Sequence, residues 1–105
     1  MSKPKLFDVV ELLIDLPELE IQAGELGTIV EEYDDRAYEV EFVNSEGEAL
    51  AILALMPENF IVVWKSETQS WVSLADRVSA MLQALPEDRQ KQVLNFTRSL
   101  YKTPA

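Results

Sequence analysis

The side chains best able to do chemistry in this chain are carboxylates, because its 105 residues include 19 Asp and Glu but neither Cys nor His. The missing residue types remove thiolate nucleophiles, disulfides, the usual zinc ligands and the commonest general base. Glu31, Glu32, Asp34 and Asp35 cluster around one predicted hairpin, where their oxygens could bind a hard cation. The alternating ligand spacing of a calcium loop is missing, so a solvated acidic turn explains the cluster better.

A second acidic pair, Glu39 and Glu41, lies two residues apart and therefore on one face of a predicted strand. Two carboxylates can flank a scissile bond in a hydrolase dyad. No pattern here indicates a pocket, and an exposed strand face that discourages edge pairing is the better explanation. We therefore predict that the protein is not an enzyme and holds neither cofactor nor metal. A small-ligand module or a carboxylate-based enzyme is the alternative.

Charge is divided unevenly along the chain. Residues 1–64 carry fifteen Asp and Glu against Lys3, Lys5 and Arg36, a net charge of −12, whereas residues 65–105 carry six Lys and Arg against four acids, or +2. The first segment would repel phosphate, which argues against nucleic-acid binding, although Gly24 and Gly27 are spaced like the glycine turn of KOW-type RNA-binding barrels. The same charge would steer a basic protein partner toward the chain. Simple solubility is the alternative explanation of the acidity.

Alternating hydrophobicity predicts five strands before residue 65. They cover residues 7–13, 26–33, 37–43, 49–56 and 60–64. In the third, Tyr38, Val40 and Phe42 share one face, and in the second, Gly27 suits a close approach of two backbones. The fourth is apolar on both faces and so needs cover on its outer side. This layout, with its long first connector, predicts an α+β protein whose N-terminal part is a five-stranded SH3-like antiparallel barrel. An open five-stranded meander is the alternative.

From residue 71 the apolar residues recur at helical spacing. Ser73 is a candidate N-cap, and Pro86 suits the first position of a second helix. Val93, Phe96 and Leu100 form the apolar stripe of that helix. We predict that residues 71–105 form a helical hairpin packed on the barrel, residues 1–64, as one cooperative unit. The hairpin should cover strand 49–56 and bury Phe96.

Apolar residues in the connecting segments are candidates for partner binding. Leu16 and Leu19 lie among acids on the long connector and would have to expose apolar surface there, unless they tuck under the barrel mouth. Trp64 and Trp71 flank the connection to the helices and are expected to clamp the seam between the two layers. The predicted partner-binding residues are therefore Leu16 and Leu19 together with the four acids at positions 31, 32, 34 and 35.

Four motifs occur in an order that resembles a known family. They are KLFDVVELL at 5–13, DLPE at 15–18, GELGTIV at 24–30 and YEVEF at 38–42. Over residues 5–62 the chain resembles domain of unknown function 4926, a family of small SH3-like bacterial proteins common in cyanobacteria. The segment LPEDRQKQVLNF at 85–96 is similar to domain of unknown function 2281, whose members are small helical proteins regarded as antitoxin-like. The resemblances imply an accessory or antitoxin-like role and supply no catalytic residue.

These observations together predict a non-enzymatic, cytoplasmic interaction protein that engages a basic protein, with an antitoxin-like pairing as one form. Neither nucleic acid nor membrane is an expected target. The first ten residues lack the apolar run of a signal peptide, and no stretch approaches the roughly 20 apolar residues of a membrane span. A homo-oligomer assembled through the helical tail is the alternative.

Overall fold

A computed structural model describes residues 3–34 and 36–102 of the chain. These residues form one antiparallel sheet followed by two helices, which confirms the predicted α+β class. The strands are β1 (Val9–Leu12), β2 (Leu26–Tyr33), β3 (Ala37–Val43), β4 (Ala49–Leu55), β5 (Phe60–Lys65) and β6 (Ser70–Trp71), and the helices are α1 (Leu74–Ala84) and α2 (Glu87–Lys102). All five predicted strands are present, and β6 is an addition that the sequence did not predict.

The sheet is open but strongly coiled. Its strands lie in the order β4-β3-β2-β1-β5-β6. β3 and β5 are three strand spacings apart, about 14 Å in a flat sheet, yet the rings of Tyr38 and Phe60 meet edge to face with centroids 5.7 Å apart. The predicted closed barrel of five strands is nevertheless wrong, because β5 pairs onward with β6 through Trp64 and Trp71, and β4 is left as the opposite edge.

The inner face of the coiled sheet forms the hydrophobic core. Its buried members are Val10, Leu12, Ile21, Ile29, Tyr38, Val40, Phe42, Leu55 and Phe60. Tyr38, Val40 and Phe42 share the inner face of β3, as their alternation predicted. Ile21 reaches the core from the connector between β1 and β2, so this connector helps to cover the inner face.

The first helix lies at the β5 edge of the sheet. The Ser73 hydroxyl accepts a hydrogen bond of 3.1 Å from the backbone N–H of Asp76, which confirms the predicted N-cap. α1 packs against β5. On β4, at the far end of the sheet, Leu50 and Ile52 are 51% and 54% exposed. The prediction that the helices cover strand 49–56 is therefore wrong, because α1 follows β6 directly and is held at that edge.

The second helix projects from the body of the protein. Pro86 directly precedes it, and the Pro86 carbonyl accepts hydrogen bonds from the N–H groups of Arg89 and Gln90. Phe96 is 65% exposed, so its predicted burial against the sheet is wrong. The Cα radius of gyration is 15.3 Å, against about 13 Å for a compact domain of this length. Neither helix in the described ranges is long and apolar enough to cross a membrane.

Candidate functional site

The outer face of β2 and β3 carries a cluster of carboxylates. Strand register places Glu31 of β2 directly opposite Glu39 of β3, and Glu41 lies two residues further along the same face. Tyr33 lies near these carboxylates. Partial burial raises the pKa of its phenol, and the negative charges of Glu39 and Glu31 raise that pKa further. Like charges directly opposite each other destabilise a sheet. We call Glu31, Glu39 and Glu41 the acidic face, a surface of like negative charges.

Of the four acids predicted at the hairpin, the three that the structure describes do not form one patch. A register shift lies between Ile29 and Glu31, and it leaves Glu32 opposite the inward-facing Tyr38. Glu32 instead lines a shallow depression with Lys5 and Glu67, which form an ion pair of 2.7 Å. Asp34 is exposed at the hairpin with a φ of 51°, and Asp35 lies outside the described residues. Among the three described acids of this cluster, Glu31 is therefore the one that belongs to the acidic face.

Apolar side chains border the acidic face on β4. Ile52 lies opposite Glu41, and Ala54 lies opposite Glu39. β4 is an edge strand, and its seven residues include no charged residue and no proline. Natural edge strands usually carry such residues, because the unpaired N–H and C=O groups of an edge otherwise invite another strand. This edge therefore has the properties of a surface on which a further strand can pair.

The two leucines predicted on the long connector have different environments. Leu16 packs against the core, and its N–H donates a hydrogen bond of 2.8 Å to the carbonyl of Ile21. Leu19, at the end of the 3₁₀ turn Pro17–Leu19, is 47% exposed. Of the two, Leu19 remains a predicted contact for a partner.

A cleft of about 440 Å³ separates α1 from β5. Its lining combines apolar side chains such as Ile61 and Ala80 with the charged Lys65 and Asp76. This volume lies within the range of small-ligand sites, about 300 to 1,000 Å³. Among the described residues, no group of three or more Asp and Glu could hold a metal ion.

Asp8 also lines the cleft, but hydrogen bonds within the protein engage its buried carboxylate. It accepts bonds from the Lys5 N–H at 2.9 Å, from the Ser66 N–H at 2.8 Å and from the Ser66 hydroxyl at 2.9 Å. The carboxylate thus links the segment before β1 to the residue after β5. This link between two parts of the fold accounts for the position of the Asp8 carboxylate.

The sequence did not predict that Glu39 and Tyr33 lie beside Glu31 on one surface. The alternation of Glu39 and Glu41 with apolar residues indicated an outward face, but not which residues of the neighbouring strand lie beside them. That neighbour depends on the register shift in β2, for which the sequence contains no local signal.

The fold and the site define a small α+β protein with an open, coiled six-stranded antiparallel sheet and an acidic outer face. Residues 6–62 match a family model described as Domain of unknown function (DUF4926), more than half of the chain, and the chain belongs to this family. The matched segment ends within β5 and therefore leaves out β6 and both helices. The resemblance of the tail to domain of unknown function 2281 is not confirmed. No curated protein and no solved structure matches the chain.

Proposed function

We propose that this protein is a non-enzymatic interaction module that binds a basic, partly apolar segment of another protein at the acidic face and the adjoining β4 edge. The observation that carries this proposal is the facing pair Glu31 and Glu39, beside an edge strand without charge or proline. Facing carboxylates lower the stability of the sheet. A Lys or Arg from a partner would relieve their repulsion and gain charge-assisted hydrogen bonds.

An extended segment fits this surface best. The unpaired backbone of β4 offers main-chain hydrogen bonds to an added strand, whose alternate side chains would then lie on the outer face. The added strand would lie two strand spacings, about 10 Å, from β3. An Arg side chain on the added strand and a Glu side chain on β3, extended toward each other above β4, span this distance. Ile52 lies on β4, between β3 and the added strand, and is half exposed. It would contact the aliphatic stem of the basic side chain.

The charge of the region favours a foreign partner over a second copy of the chain at this edge. Glu46 and Glu48 lie in the turn that precedes β4, and Glu39 and Glu41 lie on the neighbouring strand. Two copies paired edge to edge would bring these like charges together. A basic toxin in an antitoxin-like pairing is one partner of the required chemistry, and this narrower role rests only on the resemblance of the tail.

Capture from a cell extract with two charge-matched variants tests the proposal. The triple variant Glu31→Lys, Glu39→Lys, Glu41→Lys changes the acidic face, and Glu18→Lys, Glu20→Lys, Asp76→Lys makes the same change of charge at exposed positions away from β3 and β4. The wild type and the second variant should retain the same basic protein, and the first should lose it. High salt should also release it, since the Debye length is about 3 Å at 1 M.

Nucleic acid should not be retained by the wild type at low salt. If both triple variants capture the same protein equally well, the acidic face is not the binding surface. Identification of the captured chain by mass spectrometry decides whether it is basic, and reconstitution from the two purified proteins then measures the effect of each variant directly.

A further inference from the structure

The outer face of the sheet changes character in steps along β4. Three side chains of this strand alternate with core-packed neighbours and lie on the outer face, namely Leu50, Ile52 and Ala54. Ala54 lies opposite Glu39, and Glu39 in turn lies opposite Glu31. The end of β4 at Ala54 therefore has two carboxylates beside it.

The middle of β4 has one carboxylate beside it, and its beginning has none. Ile52 lies opposite Glu41, whose own neighbour on β2 is uncharged. In the direction of Leu50, the next outward residues on β3 and β2 are Val43 and Leu26, which are 47% and 48% exposed. The number of adjoining carboxylates thus falls from two to one to none between the end of β4 and its beginning.

Two further acids precede β4 in the turn from β3. The Glu48 carboxylate accepts a hydrogen bond of 3.2 Å from the side-chain amide of Asn44, so it is engaged within the turn. Glu46 lies two residues further from the strand. The decrease in charge alongside the strand itself is therefore set by β2 and β3.

We propose a direction and a side-chain order for the segment bound at this edge, a proposal that rests on the function described above. The segment runs antiparallel to β4 and presents basic, basic and apolar side chains, in that order from its N-terminus, at alternate positions. The strand pairs of the described sheet are antiparallel, and this pairing is slightly more stable per residue than parallel pairing. An antiparallel segment passes Ala54 first and Leu50 last.

The sizes of the β4 side chains support the same order. Ala54 has only a methyl group, so a long basic side chain opposite it can pass over β4 to Glu39. Ile52 packs against the stem of the second basic side chain, whose charge lies near Glu41. Leu50 is 51% exposed and offers apolar contact to the third side chain, whereas a cation there would have no carboxylate alongside the strand.

Two synthetic peptides of identical composition test the order. One is Thr-Arg-Thr-Arg-Thr-Val-Thr, and the other is its reverse, Thr-Val-Thr-Arg-Thr-Arg-Thr, both with blocked ends. Their length and charge are equal, and Thr at the intervening positions favours an extended chain. Fluorescence anisotropy of the labelled peptides with the full chain at low salt gives the two dissociation constants. That of the reversed peptide should be at least about 5-fold higher, the equivalent of one exposed ion pair of about 1 kcal/mol.

An exchange of charge within the protein tests the cause of this preference. The double variant Glu39→Gln, Leu50→Glu moves one carboxylate from one end of β4 to the other without changing the net charge, and it should reverse the preference. Glu18→Gln, Leu19→Glu makes the same exchange on the connector and should keep the wild-type preference. Circular dichroism should show an unchanged fold, because both leucines are about half exposed.

Four results would overturn the inference, and they separate it from the function proposed above. Equal binding of the two peptides, lost in the triple Lys variant of the acidic face, would refute the order alone. Tighter binding of the reversed peptide to the wild type would refute the antiparallel direction. An exchange variant that keeps the wild-type preference would refute the role of the carboxylates. If neither peptide binds at millimolar concentration, the inference is wrong, and capture from the cell extract then decides separately whether the acidic face binds a partner.

Discussion

Substitution of Gly27 by Ala should destabilise the sheet through a direct clash between β2 and β3. A Cβ atom at this position would lie 2.6 Å from Val40 Cγ1, 3.0 Å from Phe42 Cε1 and 3.1 Å from the Glu41 carbonyl oxygen. Val40 is fully buried and β-branched, so it has neither space nor an easy alternative rotamer. Overpacking of this kind costs about 1 to 3 kcal/mol. The lower chain entropy of Ala in the unfolded state offsets about 0.5 to 1 kcal/mol, which leaves a net loss of about 0 to 2.5 kcal/mol. Because the new Cβ would lie 2.6 Å from a fully buried atom, we expect a loss in the upper part of this range, about 1 to 2 kcal/mol.

A double-mutant cycle with Val40→Ala separates the clash from other causes. Urea denaturation gives the free energy of unfolding of each variant, and thermal denaturation should show a decrease in Tm of about 4 to 8 °C per kcal/mol for a domain near this size. Truncation of Val40 removes the atom that the new methyl group meets. The double variant should therefore lose less stability than the sum of the single variants, with a coupling of about 0.5 to 3 kcal/mol.

Gly24→Ala is the control for this cycle. Gly24 has open space around it but a φ of 98°, so an Ala there is strained without any clash. The loss in free energy of unfolding caused by Gly24→Ala and the loss caused by Val40→Ala should be additive to within about 0.5 kcal/mol. Additivity of Gly27→Ala with Val40→Ala, or a loss below about 0.5 kcal/mol for Gly27→Ala, would refute the packing argument.

Three further predictions concern side chains elsewhere in the structure. Phe96→Ala should change the free energy of unfolding by less than about 1 kcal/mol at concentrations where light scattering shows single chains, because this ring is 65% exposed. Asp8→Asn should lower that free energy by about 1 to 3 kcal/mol in urea denaturation, since an amide N–H₂ would face donors from Ser66. Glu39→Gln should lower the raised pKa of Tyr33 toward its ordinary value in an alkaline ultraviolet titration, with Tyr33→Phe identifying its signal.

The strands were predictable because their signal is local. Alternation of Tyr38, Val40 and Phe42 with Glu39 and Glu41 depends only on the period of an extended chain. The cap at Ser73 is equally local. β6 was not predictable, since its two residues have no periodicity and become a strand only through pairing with β5.

The placement of the helices and the composition of the acidic face could not be predicted, because both depend on contacts between distant parts of the chain. The stripe containing Phe96 correctly indicated an amphipathic helix, but periodicity does not specify which surface covers it. Glu31 and Glu32 are neighbours in sequence, yet the register shift in β2 separates their surroundings. Pairing between strands decides which charges meet, and a single sequence does not record that pairing.

The position of β1 in the sheet has a consequence for biosynthesis. β1 is the first strand made, but it lies between β2 and β5, and Val10 pairs with Val62 near the end of the family segment. A ribosome adds about 5 to 20 residues per second, so one side of β1 stays unpaired for seconds while β2, β3 and β4 can already form a meander. During this interval the apolar residues of β1 are exposed to chaperones and to other nascent chains. Closure by β5 ends that exposure, and translation speed across residues 13–60 therefore sets how long it lasts.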